Sequence, residues 1–176
     1  FGRGGHAGAL LERVGPGGRV IGLDRDPEAV AAALRWAETD PRLIVCAAPF
    51  SAISREAAAL GVSGKVDGVL FDLGVSSPQL DAPERGFSFL RDGPLDMRMD
   101  PGAGPSAAQW LDTADEAEIV RVLRSYGEEP QARRIAAAIV RARPIATTRG
   151  LAEVIERAVP RRARDHHPAT LTFQAI

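Results

Sequence analysis

The chain has 176 residues, enough for one ordinary domain or for an incomplete domain carrying an insert, and too few for a multidomain machine. Hydrophobic residues make up 45% and charged residues 26%, so there is apolar material for a core and no general disorder is expected. No apolar run reaches the ~18 residues that span a bilayer. A single cysteine, Cys46, excludes an intrachain disulfide, and with only three histidines no Cys/His set for structural zinc is available. No metal is expected, and the compartment expected from the cysteine usage is a reducing cytoplasm.

The opening residues lack the basic and apolar regions of a signal peptide, and both ends are expected to be cuts from a longer protein. The net charge of −1 hides an asymmetry: residues 1–120 carry −7 and residues 121–176 carry +6. A basic C-terminal segment points toward a polyanionic partner.

In chain order, residues 19–23, 43–47 and 66–73 are short runs rich in Val, Ile and Leu, which predict buried strands. Residues 7–14, 27–38 and 51–60 between them are rich in Ala, Leu, Glu and Arg and follow helix-start signals. Strands alternating with helices imply βαβ units in a parallel sheet, with a further strand expected ahead of Phe1. Residues 74–105 lose all period, and a loop of 32 residues inside a compact domain is usually functional. Residues 106–111, 115–125, 131–143 and 148–158 predict four helices. The expected organisation is residues 1–104 as part of an α/β sheet, 105–168 as a small all-helical unit, and 169–176 as a return toward the sheet.

Four segments carry candidate chemistry. Gly2-Arg3-Gly4-Gly5-His6 is a glycine-rich turn entering a helix, and Asp24 ends the next predicted strand 20 residues after Gly4. In that geometry backbone amides approach a ligand and an acidic side chain accepts ribose hydroxyls, which leaves NAD and S-adenosylmethionine undistinguished. A plain βα turn with a capping Asp explains the same residues. Asp72 ends the third predicted strand, where open sheets bind their ligands; a turn-capping Asp is the alternative. Residues 92–100 hold both methionines among Asp96, Arg98 and Asp100, the pattern of a lid over a flat ligand or of a surface loop tied by Asp/Arg pairs. Arg134 and Arg141 share a helix face, and Arg161, Arg162 and Arg164 form a basic run, either a solvated face or a phosphate-contacting surface.

Taken in order and spacing, Phe1-Gly2-Arg3-Gly4-Gly5-His6, Asp24-Arg25-Asp26-Pro27, Asp72-Leu73-Gly74-Val75-Ser76-Ser77-Pro78-Gln79, Arg85-Gly86-Phe87-Ser88-Phe89, Gly93-Pro94-Leu95-Asp96-Met97-Arg98-Met99-Asp100, Tyr126-Gly127-Glu128 and His167-Pro168-Ala169-Thr170-Leu171-Thr172-Phe173-Gln174 resemble the bacterial ribosomal small-subunit methyltransferase H family, also called MraW. The resemblance implies a Rossmann-like methyltransferase sheet, incomplete here, with an inserted small all-helical domain. It implies S-adenosylmethionine as cofactor and the N4 amine of a cytosine in 16S rRNA as the methyl acceptor. Cofactor contacts carry over to Gly4, Gly5, His6, Asp24, Phe50, Asp72 and Gln79. Asp72 is expected to orient the amine, with Asp96 or Asp100 assisting, although Asp72-Leu73-Gly74 departs from the Pro-Pro-aromatic run common at amine-methylating sites. Arg133, Arg134, Arg141, Arg161, Arg162 and Arg164 form the expected RNA platform.

The implied partner is 16S rRNA, as the assembled small ribosomal subunit or as bare RNA, and not DNA or a membrane; a homodimer is left open. The truncated chain is expected to be an incompetent enzyme on its own. Two other classes stay on the page: an NAD-dependent oxidoreductase, favoured by the glycine loop and Asp24, and a non-catalytic RNA- or protein-binding module.

Overall fold

The computed structural model describes residues 1–159 and 167–176, and these form two compact units, Phe1–Pro78 and Gln79–Ile176. The first is α/β. Helix α1 (Gly5–Arg13) leads to strand β1 (Val20–Asp24), helix α2 (Pro27–Ala37), strand β2 (Leu43–Ala47), a 3-10 turn (Phe50–Ala52) and helix α3 (Ile53–Ala59). β1 and β2 pair in parallel, in register from Val20 opposite Leu43 to Asp24 opposite Ala47. The crossover helix starts where Asp26 accepts the Glu28 amide at 3.0 Å and Pro27 supplies a pre-set φ at the first helical position. Arg42 ties the far end of the unit together, donating to the Leu11 and Gly15 carbonyls at 2.8 and 3.1 Å and to Asp40 at 2.6 Å. The Leu11 carbonyl, in the last turn of α1, thereby gains a cationic donor. Leu11, Ala33 and Leu43 form the buried centre of this unit.

The third predicted strand is not formed. Residues 66–73 have no ladder partner, and Val69, Leu70, Phe71 and Leu73 stand 54–69% exposed. An apolar run signals burial, but a strand also needs a neighbour for its N–H and C=O groups. β1 and β2 pair with each other, and no other described residue offers a third rail.

The second unit is helical: α4 (Ser77–Asp81), a 3-10 turn (Pro83–Arg85), α5 (Ala107–Thr113), α6 (Glu116–Gly127), α7 (Ala132–Ala142), α8 (Thr148–Ala158) and α9 (Thr170–Ala175). The four predicted helices are present as α5 to α8. Each of three starts with a side-chain cap: Ser106 in a capping box with Gln109, Asp115 accepting from Glu118, and Thr147 accepting from Gly150. α6 packs against α7 and α9, and α7 against α8. Their inner faces bury Ile119, Leu123, Ile135, Ile139, Leu151 and Ile155. Among the described residues no helix is long and apolar enough to cross a membrane.

Packing divides the chain earlier than the 104/105 boundary expected from pattern. Leu95, in the apparently aperiodic stretch, is 1% exposed within the helical core. Its amide donates to the Ala146 carbonyl at 2.9 Å, and the Thr148 amide donates to the Gly93 carbonyl at 3.0 Å. Residues 169–176 also join this core through Ala169, Phe173 and Ala175 on α9.

Because Ile139 is fully buried in this core, Ile139→Ala is expected to destabilise the helical unit by about 2–5 kcal/mol. Arg134→Ala, on the exposed side of the same helix, is expected to change stability by less than about 0.5 kcal/mol. Urea unfolding followed by circular dichroism checks the contrast, and equal losses would contradict the assigned face of α7.

Candidate active site

The α/β unit gathers its chemistry at the carboxyl end of β1. Gly4 precedes α1 with φ 79°, and a Cβ there would lie 2.6 Å from the Trp36 ring. Conformation and space both demand glycine at this position. The first turn of α1 contains no acidic residue and Gly4 makes no side-chain cap bond; the leading amides of a helix have no partner within it, the arrangement suited to a carboxylate or phosphate.

Asp24 anchors the loop to the strand. Its Oδ2 accepts the Phe1 amine at 2.9 Å and the Gly2 amide at 3.1 Å, and its Oδ1 accepts the Asp26 amide at 2.9 Å. Burial pushes this carboxyl up, and the hydrogen bonds from the Asp26 and Gly2 amides pull it down. Asp24 is therefore a carboxylate at neutral pH, with acceptor capacity remaining on Oδ1 for a hydroxyl.

Asp72 reaches the same loop from the segment after α3. Its Oδ2 lies 3.0 Å from His6 Nδ1, with both side chains largely exposed. The preceding residue, Phe71, meets Phe50 edge to face, with ring centroids 6.1 Å apart and planes at 82°. Five of the sequence-selected cofactor residues, Gly4, Gly5, His6, Asp24 and Asp72, are thus joined by helix and hydrogen bond, and Phe50 stands beside them through Phe71.

Gln79, Asp96 and Asp100 belong to the helical unit. Gln79 is buried, and its amide lies 3.2 Å from Met99 Sδ. Asp96 forms a two-pronged pair with Arg98: Nε donates to Oδ1 at 2.9 Å and Nη2 to Oδ2 at 2.6 Å. The Arg98 guanidinium holds the Asp96 carboxyl below the ordinary range. Asp100 accepts the Gly102 amide at 2.9 Å and turns the chain toward α5.

Beside this loop opens a cleft of about 520 Å³, lined in part by Asp96, Met97, Arg98, Trp110, Val122 and Tyr126. Trp110, Tyr126 and Arg98 in this lining are the residue types on which a flat heteroaromatic ring can stack. Arg133, Arg134 and Arg141 are exposed on α7, while Ile135 and Ile139 face inward. Arg161, Arg162 and Arg164 lie outside the described residues. No group of three or more potential metal ligands occurs among the described residues.

A family model described as the MraW methylase family matches residues 1–176. The chain is also similar to "Ribosomal RNA small subunit methyltransferase H" of Thioalkalivibrio sulfidiphilus (strain HL-EbGR7), at 59% identity over 179 residues. That alignment covers 100% of this chain and 57% of the relative. The chain belongs to the MraW methylase family.

The chain spans a little over half the length of the curated relative it matches. Pattern reading passed over two features of this family member. Trp110 lies in a short helix whose apolar positions read as ordinary core, and only the fold brings it beside Arg98 and Tyr126. Arg85 sits in a Gly- and Pro-rich stretch where a charged side chain reads as surface, yet it is 6% exposed.

The Asp96–Arg98 fork makes a pH prediction. Because the folded Asp96 carboxyl titrates below its ordinary value of 3.8, the fork contributes fully above that value and is lost as pH falls below it through the folded pKa. Carboxyl NMR of Asp96 is expected to show a midpoint below 3.8, moved upward by Arg98→Met. A wild-type midpoint at or above 3.8 would contradict the fork.

Proposed function

We propose that this chain is the cofactor-binding and RNA-contacting part of an S-adenosylmethionine-dependent methyltransferase acting on the N4 amine of a cytosine in 16S rRNA. Family membership supports methyl transfer, and the similar protein is named for small-subunit ribosomal RNA. The observation that carries the reading is the joining of the glycine loop to two carboxylates, Asp24 through Gly2 and Asp72 through His6.

The donor set fits the cofactor. Asp24 offers a carboxylate to ribose hydroxyls, the first-turn amides of α1 suit the amino-acid carboxylate, and the exposed Phe50 ring offers a face to adenine. Bound there, S-adenosylmethionine supplies an electrophilic methyl group on sulfur. Everything else falls to the protein. An exocyclic cytosine amine is a poor nucleophile because its lone pair is delocalised into the ring, so a carboxylate that accepts its N–H sharpens it and takes up the proton. Asp72 is our choice for that role, since His6 orients its Oδ2 while its other oxygen stays accessible. Asp96 has both oxygens committed to Arg98 and is assigned to shaping the cleft; Asp100 is assigned to the turn before α5.

A cytosine within folded RNA must leave its stack to react. The Trp110–Tyr126 cleft of the helical unit is assigned to a second unstacked base of the same RNA, not the methylated one, and Arg133, Arg134 and Arg141, with Arg161, Arg162 and Arg164, to the phosphate backbone. The substrate is proposed to be the RNA within the small ribosomal subunit.

Labelled methyl transfer by the full-length protein tests the reading, with the product identified by nuclease digestion and chromatography. The label is expected in N4-methylcytosine of 16S rRNA, and Asp72→Asn is expected to lower turnover by about 100-fold or more. Label on another atom would overturn the acceptor, and full turnover in the variant would remove Asp72 from the reaction. RNA affinity is expected to fall steeply with salt, and replacing Arg133, Arg134 and Arg141 together by Ala is expected to reduce the log–log slope by roughly 2–3. An unchanged slope would remove α7 from the RNA surface.

A further inference from the structure

The proposed function leaves the buried charge of Arg85 without a task. Arg85 closes the 3-10 turn Pro83–Arg85, and its guanidinium Nη2 donates to the carbonyl oxygens of Arg98 at 3.2 Å and Met99 at 3.0 Å. Its own carbonyl accepts the Met97 amide at 3.0 Å. One residue therefore holds three successive residues of the loop that walls the cleft. Burying a guanidinium is costly unless its donors are bonded, and an apolar side chain would fill the same space more cheaply. Two of the bonds of Arg85 go to carbonyls of this loop, and its Cζ also lies 5.9 Å from the centroid of the Phe87 ring.

What it fixes is strained. Met97 has φ 61°, a left-handed conformation that side chains other than glycine rarely adopt, and such strain persists only where the surroundings enforce it. Gly86, the neighbour of Arg85, has φ 74°, and a Cβ there would lie 2.6 Å from the Asp96 amide and would also meet the Pro94 carbonyl. The two backbones approach as closely as they can, with Arg85 bridging them. The outer side of the same loop presents Met97 and the Asp96–Arg98 pair to the cleft that holds Trp110 and Tyr126.

We propose that Arg85 is a positioning residue for nucleotide binding: it locks the Met97 turn so that Met97 and the Asp96–Arg98 fork line the cleft together with its aromatic residues. This rests on the reading of the cleft as the site of an unstacked RNA base. Arg85 touches no ligand itself; it acts through the loop. Both carbonyls are held by one nitrogen, Nη2, which lies one bond further from the backbone than a lysine ammonium reaches and is fixed in place by the planar guanidinium.

The test compares Arg85→Lys, Arg85→Met and Trp110→Ala with the wild type in the full-length protein, using a cytidine-containing single-stranded RNA hexanucleotide as the probe. Amide exchange at residues 97–99, hexanucleotide affinity and the melting temperature are read for each. Arg85→Lys is expected to speed exchange at residues 97–99 and to weaken hexanucleotide binding by roughly 10-fold or more, as loss of a charge-assisted bond pair implies. Exchange at core amides such as Leu123, and the melting temperature, are expected to stay close to wild type. A merely structural Arg85 would instead lower the melting temperature and loosen the whole unit. Unchanged exchange at residues 97–99 in Arg85→Lys overturns the positioning role by itself, whatever the RNA does. Unchanged affinity in Trp110→Ala overturns the cleft reading, and the nucleotide role of Arg85 with it. Should Arg85→Met fail to fold, the lysine variant alone decides.

Discussion

The parallel pairing of β1 with β2 sets what the α/β unit can offer a ligand. Five residues in register bring Asp24 and Ala47 side by side at the carboxyl end, where the backbone leaves the ladder and its polar groups turn outward. The glycine loop is bound back to that point by Asp24. The left-handed Gly4 lets α1 begin beneath the Trp36 ring, and no side chain blocks the first-turn amides. The Asp24 carboxylate accepts hydrogen bonds, and the first-turn amides of α1 donate them. Together they suit a ligand with both hydroxyls and a carboxylate better than a simple anion.

In the helical unit the comparable constraint is a backbone clasp. Residues 85–86 and 94–97 lie so close that only glycine fits at position 86, and Leu95 drives the second strand of the clasp into the helical core. The loop between Gly93 and Asp100 is consequently part of the packed interior although it has no regular structure. Its backbone bonds extend to α8, where Asp92 accepts the Arg149 amide, and to α5, where the Ala107 and Ala108 amides donate to the Asp96 and Leu95 carbonyls. Such a loop orders the side chains it carries without needing a strand or helix of its own.

The helical half was legible because period and caps agree: Ile135 and Ile139 fall on the buried face of α7, and Ser106, Asp115 and Thr147 mark three helix starts. Strands β1 and β2 were legible from their β-branched runs. Residues 66–73 carry the same signal but remain unpaired, because composition records a preference for burial and not the presence of a neighbour. The clasp was invisible for a related reason. Leu95 among Asp, Arg and Met has no period to reveal it, and a buried Arg85 reads as surface until its carbonyl partners are placed. At the candidate site, Gly4 and Asp24 followed from general chemistry, and Phe50 came only from family resemblance. Its exposed ring beside Phe71 is a feature of the folded chain, not of the local pattern.

The claim on which the functional account turns is that the crevice formed by the glycine loop, Asp24 and Asp72 is built for the nucleoside and amino-acid ends of S-adenosylmethionine. Calorimetric titration with S-adenosylhomocysteine, run beside NADH on folded protein and repeated with Asp24→Ala, tests it most directly. The account predicts saturable one-site binding of S-adenosylhomocysteine, no binding of NADH, and a loss of affinity of about 10-fold or more in the variant, as removal of a charged hydrogen-bond acceptor implies. Binding of NADH in place of S-adenosylhomocysteine, or affinity indifferent to Asp24, would contradict it.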